Sequence, residues 1–489
     1  MEESKLVKHI EALSARERER FRLFVESPYF NRHEKTIQLL KIILKALNAT
    51  RPNLKKEKVY SKLFPGDKFE EQPLHNVMSY LKKLYYRFLS IKHLEEQDFL
   101  EPLFTLEAAY ENNQFDLLKN RGKQVEKTLK NNNFQNNEFF YTQYRLNYLL
   151  GYYAAQYEDR TKSTLFQKML NNLDRFYIVE KLRNSCHLTA NMIMLNTNYD
   201  FHFLDELLKY VQDNMADFEE DLSIIMYYTI LMSLREENNP EHYKKLIDIL
   251  TFNVNGLSSE EQGDLYSFAN NYCIRQINNG HSNYQRELFQ LYKQGLKTGL
   301  ILDNGILSEW NYKNITSLAC SLKEFEWAEN FIQTYKDTLN APRRENAYNY
   351  NLAHLYYNKK MYNEALSVLL LVQFTDVKYH LNTTFLLLRT YFALKDTEAV
   401  LSLIETFRIY VIRNQKMTLE LKRGYTNFLK FAKQLVLLIH HASTYPKKKL
   451  REKLDILKTK IESTKNLINR YWLLEECDNW YGYELLVPG

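Results

Sequence analysis

The residue types able to do chemistry are present in this chain but scattered. His440 adjoins His441, and Cys186 adjoins His187. Neighbouring positions on a helix point about 100° apart, so neither pair is set to chelate, and both read as ordinary helix residues. Carboxylates cluster at Asp205-Glu206, Glu219-Glu220-Asp221 and Glu475-Glu476, in charged stretches that read as solvated. The glycine patterns that cradle phosphates do not occur, neither the P-loop nor G-x-G-x-x-G. H-E-x-x-H, a Cys/His zinc spacing and the G-x-S-x-G elbow are also missing. No catalytic residue, metal or cofactor is therefore expected, although groups that converge from distant positions escape a motif search. Cys186, Cys273, Cys320 and Cys477 form no Cys-x-x-Cys pair and read as reduced, mostly buried thiols.

The elements that would position any site are helices. The chain has 489 residues, beyond the usual size of one compact core, so several domains or an extended array is expected. It holds only 12 glycines and 9 prolines. All-β folds and tight hairpins need glycine for positive φ, so the scarcity points to long helices joined by short polar loops. The 37 tyrosines and 28 phenylalanines, with many Asn-Asn pairs, fit the codon usage of an AT-rich genome. The charged opening MEESKLVKHIEALSARERERF lacks an apolar core of signal-peptide type, and no apolar run is long enough to span a bilayer. A cytoplasmic location without membrane insertion is expected.

Residues 1–100 read as an N-terminal helical module. Leu6, Ile10 and Leu13 recur at helical spacing, and Ser14 with Glu17 forms a capping-box pattern. The helix that follows carries Phe21, Phe24 and Val25 inward and ends near Ser27-Pro28. A third helix spans about 33–47. After Pro65-Gly66-Asp67, a longer one starts near Pro73 with Val77, Leu81, Leu84, Tyr85 and Phe88 inward. The opening, through Ser27-Pro28-Tyr29-Phe30-Asn31, resembles the start of long uncharacterised bacterial helical proteins. Leu63-Phe64-Pro65-Gly66-Asp67, followed by Leu74 to Leu84, resembles the helix-turn-helix part of bacterial winged-helix activators. That resemblance implies a helix entering the DNA major groove with His75, Asn76, Ser79, Lys82 and Lys83 on or near it. No arginine leads the helix and no hairpin wing follows, since 91–99 reads as more helix.

From residue 101 the pattern is helix, short polar loop, helix. The clearest unit is Asn349 to Leu366, where Leu352, Ala353, Tyr356, Tyr362 and Ala365 stand at the positions that let two helices approach closely and fill the groove between them. It resembles the tetratricopeptide repeat, with Lys360 replacing the interhelical glycine and the closing proline missing. Ala399 continues the pattern downstream and Ala328 upstream, and Ala109-Tyr110 with Phe115 and Leu118 resembles the same turn again. The resemblance implies an all-α fold, a right-handed superhelical array of antiparallel helix pairs in which each pair completes its neighbour's core. The expected organisation is the N-terminal module (1–100), degenerate pairs (101–300), clearer repeats (301–440) and one long capping helix (441–489). A dimer through that last helix is the alternative use of its Leu450, Leu454, Leu457 and Ile461 stripe.

Net charge is +6 over residues 1–100, −8 over 101–407, +12 over 408–470 and −4 over 471–489. The leading functional expectation is a non-catalytic scaffold holding a protein or peptide partner on the first helices of the pairs. Asn314, Asn349, His354 and Arg389 are the expected exposed contacts. The alternative is a nucleic-acid-binding regulator, with basic residues such as Arg408, Arg413 and Lys416 adding phosphate contacts to those of the N-terminal module.

Overall fold

The computed structural model describes residues 1, 4–48, 54–132, 134–158, 164–195, 197–236, 239–373, 377–415 and 417–486. It is all-α among these residues apart from one short hairpin, and the chain divides into two compact units. The first comprises Met1–Arg235 with Asn255–Ser258, the second Glu236–Val254 with Ser259–Gly489.

The first unit begins with α1 (Lys5–Glu11), α2 (Ala15–Glu26), α3 (Glu34–Leu47), α4 (Lys56–Leu63) and α5 (Glu71–Glu96). These share one core, in which Ile10, Phe21, Val25, Leu39, Ile43 and Leu81 are fully enclosed. The capping box is present in full: Ser14 Oγ accepts from the Glu17 backbone, and the Glu17 carboxylate accepts from Ser14 N–H at 2.8 Å. The unit continues through α6 (Leu100–Glu111), α7 (Phe115–Lys130), α8 (Asn137–Tyr157), α9 (Thr164–Leu195), α10 (Leu204–Asp213) and α11 (Leu222–Arg235). The expectation that Asp221 is solvated is corrected. It is 4% exposed and pairs with Arg175 at 2.7 Å, the partner that makes its burial tolerable.

The second unit holds α12 (Pro240–Asp248), α13 (Ser259–Asn278) and α14 (Tyr284–Thr298). The hairpin of β1 (Leu302–Asp303) and β2 (Ile306–Leu307) follows, with Leu302 opposite Leu307. Next come α15 (Glu309–Ser321), α16 (Phe325–Thr334), α17 (Arg344–Asn358), α18 (Tyr362–Leu369), α19 (Val377–Ala393) and α20 (Thr397–Arg413). The unit ends with α21 (Leu419–His440), α22 (Lys447–Ser463) and α23 (Arg470–Leu486).

One turn geometry recurs five times among the described residues. Asn113, Gly280, Lys323, Lys360 and Lys395 all have φ between 56° and 96°. Each donates its N–H to the carbonyl three residues back, and the next residue donates to the carbonyl five back, as in Met361 N–H to Tyr356 O at 2.9 Å. This is the Schellman termination, which satisfies carbonyls left over at a helix end. It joins α6 to α7, α13 to α14, α15 to α16, α17 to α18 and α19 to α20. At Lys360 a lysine thus holds the left-handed conformation that glycine adopts most readily.

Within the second unit α15 packs on α17 and α17 on α19, while α16 packs on α17 and α18 on α19. Ala319, Ala328, Ala353 and Ala365 are completely buried at these crossings, where a larger side chain would hold the backbones apart. Ala399 is only half-buried, and Val400 takes the enclosed position in α20.

The single long C-terminal helix is corrected to two, α22 and α23, packed on each other. Asn466 and Asn469, at φ 50° and 54°, break it, because asparagine tolerates the left-handed region. Leu450, Leu454, Leu457 and Ile461 are spent on the core shared with Trp472, Leu473 and Cys477, so that stripe is unavailable for a dimer seam.

Candidate functional site

A cleft with a volume of ≈ 630 Å³ lies within the second unit. Two consecutive Schellman turns form one side, contributing Lys360 and Lys395. The end of α17 supplies Tyr357, α18 supplies Tyr362, and α19 supplies Arg389 and Phe392. The last turns of α21 bring His440, and α23 closes the cleft with Glu475, Glu476, Asn479 and Trp480. These residues meet only because α23 folds back beside the helix pairs.

Arg389 is the central charge. Its guanidinium lies 4.7 Å from the centre of the Tyr357 ring, 5.8 Å from Phe385 and 5.9 Å from Trp472. Aromatic faces attract a cation but do not replace an anion. Its Nε is buried without a hydrogen-bond partner, and no carboxylate among the described residues forms an ion pair with it. Across the cleft, Glu476 is half-buried, which corrects the expectation that both glutamates of that pair are solvated. Burial pushes the Glu476 carboxyl above the usual range and the nearby Glu475 adds to the shift, while Asn479, Arg389 and Trp472 oppose it. Burial likewise raises the Tyr357 phenol, against the pull of Arg389.

A small hollow of ≈ 10 Å³, about the space of one water, lies over the first helices of three successive pairs. It is lined by Glu309, Trp310 and Lys313 from α15, Tyr350 from α17, and Tyr379 and Asn382 from α19. His354, one turn beyond Tyr350, stacks on it with ring centres 6.4 Å apart. Burial, with Arg389 and Lys313 nearby, holds the His354 imidazole down to about 4. Of the four expected contacts, Arg389 lines the cleft and His354 lies within its electrostatic reach. Asn314 is exposed on α15 and Asn349 half-buried on α17; neither lines the cleft or the hollow. His354 and Arg389 are half-buried rather than freely exposed.

In the N-terminal module, His75, Asn76, Ser79 and Lys83 are exposed on α5 and Lys82 is half-buried. Glu70 and Glu71 stand at the start of that helix. His75 Nε2 lies 3.4 Å from the Glu71 carboxylate, and Asn76 Oδ1 accepts from Gln72 at 3.0 Å. The helix continues unbroken to Glu96, and α6 follows where a wing would stand. Of the basic C-terminal residues, Arg408 and Lys433 share Glu405 at 3.1 and 2.8 Å, Lys422 donates to Ile412 O, and Lys458 pairs with Asp478 at 2.7 Å. Arg413 is exposed, and Lys416 lies outside the described residues.

All four cysteines are buried and none is in a disulfide. Cys273 Sγ is 3.0 Å from the Tyr243 hydroxyl, and burial pushes its thiol up to about 12, so it is no nucleophile. The His440 and His441 rings meet edge to face at 5.0 Å rather than pointing apart. Among the described residues no group of three or more His, Cys, Asp or Glu could hold a metal ion, and no helix is long and apolar enough to cross a membrane. The glutamates of α23 were not legible as site residues, because nothing in the sequence placed α23 beside α19. No protein-family model matches the chain, and neither does any curated protein or solved structure.

Proposed function

We propose that the second unit is a tetratricopeptide-like, right-handed array of helix pairs that works as a non-catalytic scaffold, holding an extended partner segment on its first helices. The observation that carries this reading is that the first helices α15, α17 and α19 pack in succession and bring Trp310, Lys313, Tyr350 and Asn382 together from three successive pairs. Flat aromatic surface and side-chain amides suit an extended backbone, which offers both donors and acceptors. Stacked pairs supply such a surface at low cost, since each pair needs only its neighbours to complete its core.

The nucleic-acid reading draws less support. Glu70 and Glu71 place negative charge where α5 would meet phosphates, and Arg408, Lys433 and Lys458 of the basic C-terminal stretch are paired within the chain.

The test is affinity capture of the tagged full chain from its host, with and without nuclease, beside the double variant Trp310→Ala/Asn382→Ala. A stoichiometric protein that survives nuclease and is lost from the variant is the expected result. Recovery of nucleic acid, with every protein lost on nuclease treatment, would overturn the reading.

A further inference from the structure

The cleft between the turns and α23 contains two half-buried charges of opposite sign that do not neutralise each other. Arg389 and Glu476 line the same space and feel each other's field, yet they form no ion pair. Neither has an ion-pair partner elsewhere among the described residues. Their hydrogen-bond contacts are to neutral groups, Glu476 accepting from the Asn479 amide at 3.5 Å and Arg389 donating to the Tyr357 hydroxyl. A charge held partly out of water without an opposite charge in contact is costly, and the cost is relieved when a complementary charge arrives.

We propose that this cleft binds a small zwitterionic ligand of the amino-acid class, with its carboxylate on the Arg389 guanidinium and its ammonium on Glu476. The balance of the lining selects this class. Lys360, Arg389 and Lys395 face Asp396, Glu475 and Glu476, so a simple anion or cation meets as many like charges as opposite ones. A zwitterion satisfies both ends. Asp396 is already engaged, since its Oδ1 accepts from Ala399 N–H at 3.0 Å, which leaves the two glutamates of α23 for the ammonium. The guanidinium fork suits a carboxylate, and aromatic rings hold it in place from behind. Tyr357, Tyr362, Phe392 and Trp480 offer ring surface for a side chain. The volume of ≈ 630 Å³ falls within the range of about 300–1,000 Å³ typical of small-ligand sites. The proposal does not rest on the scaffold reading, whose surface lies on other residues.

The experiment uses the full chain and the free proteinogenic L-amino acids as probes, read by calorimetric titration and by tryptophan fluorescence, since Trp480 lines the cleft. At least one amino acid is expected to bind. Its N-acetyl and carboxamide derivatives are each expected to bind about tenfold more weakly or worse, as loss of one charge-assisted contact requires. Arg389→Gln and Glu476→Gln should show comparable losses. The blocked ligands test the proposal on the unaltered protein, so a variant that fails to fold does not decide it. Absence of binding at about 10 mM of every amino acid, weaker than any functional affinity of this class, would overturn the proposal. So would binding that is indifferent to blocking either end, or equal binding of succinate.

Discussion

Tyr266 lies directly across Gly295. Its hydroxyl donates to Leu291 O at 3.1 Å, and a Cβ built on Gly295 would stand 2.2 Å from that hydroxyl oxygen. The glycine in α14 is therefore what lets the tyrosine of α13 close over the helix. Gly295→Ala adds about 1 kcal/mol of helix propensity. Overpacking of about 1–3 kcal/mol and loss of the Tyr266 hydrogen bond, worth about 1 kcal/mol, outweigh that gain. Denaturant titration should show a net destabilisation. Tyr266→Leu/Gly295→Ala should lose less than the sum of its single variants.

Lys323 occupies the left-handed turn between α15 and α16, at φ 61°. An L-residue carries strain there that glycine avoids, so Lys323→Gly should raise stability by roughly 0.5–1 kcal/mol. Lys323→Val, β-branched at positive φ, should lower it by a larger amount. A thermal melt that ranks valine above glycine would contradict the assigned turn.

The N-terminal bundle should be acid-sensitive through Glu17. Hydrogen bonds from Lys92 and then Ser14 hold its carboxyl down to about 2. The folded value lies below the unfolded one, so the contribution is complete above the ordinary carboxylate range and is lost as pH falls from about 4.5 toward 2. With solvent screening of a partly exposed pair, it is on the order of 1 kcal/mol. Glu17→Gln should remove that part of the pH dependence of unfolding while leaving neutral-pH melting only modestly reduced.

His354 should stay neutral well below the usual histidine range. Burial is the main cause, with the Arg389 and Lys313 cations adding to it, and the imidazole is held down to about 4. Because the folded value lies below the unfolded value of about 6.5, stability should fall as pH drops through that window. Imidazole proton shifts followed by NMR should give a midpoint near 4. Arg389→Gln should raise it by removing one cation. An unchanged midpoint in that variant would show that the two side chains do not communicate.

Local signals in the sequence were read well where a helix carries its own pattern. Ser14 and Glu17 named a cap that is present in both directions, and the inward face Val77, Leu81, Leu84, Tyr85 and Phe88 of α5 is buried throughout. Ala353 and Ala365, small residues at positions singled out by a repeat resemblance, are completely buried. Reading failed where the deciding contact was distant. Asp221 looked solvated among Glu219 and Glu220, but Arg175, on another helix, makes its burial tolerable. The long C-terminal helix looked continuous because Asn466 and Asn469 are compatible with a helix until packing demands a reversal.

What the sequence determined by itself is the helical class, the capping box at Ser14 and the apolar faces of helices such as α5, because propensity, capping and periodicity act over a few residues. Only the tertiary structure decided that Arg389, Tyr357 and Glu476 share a cleft. That meeting depends on α23 folding back against α19 and α21, and the packing energy that drives it is collective, spread over Trp472, Leu473 and Cys477 and their partners rather than written in any local motif.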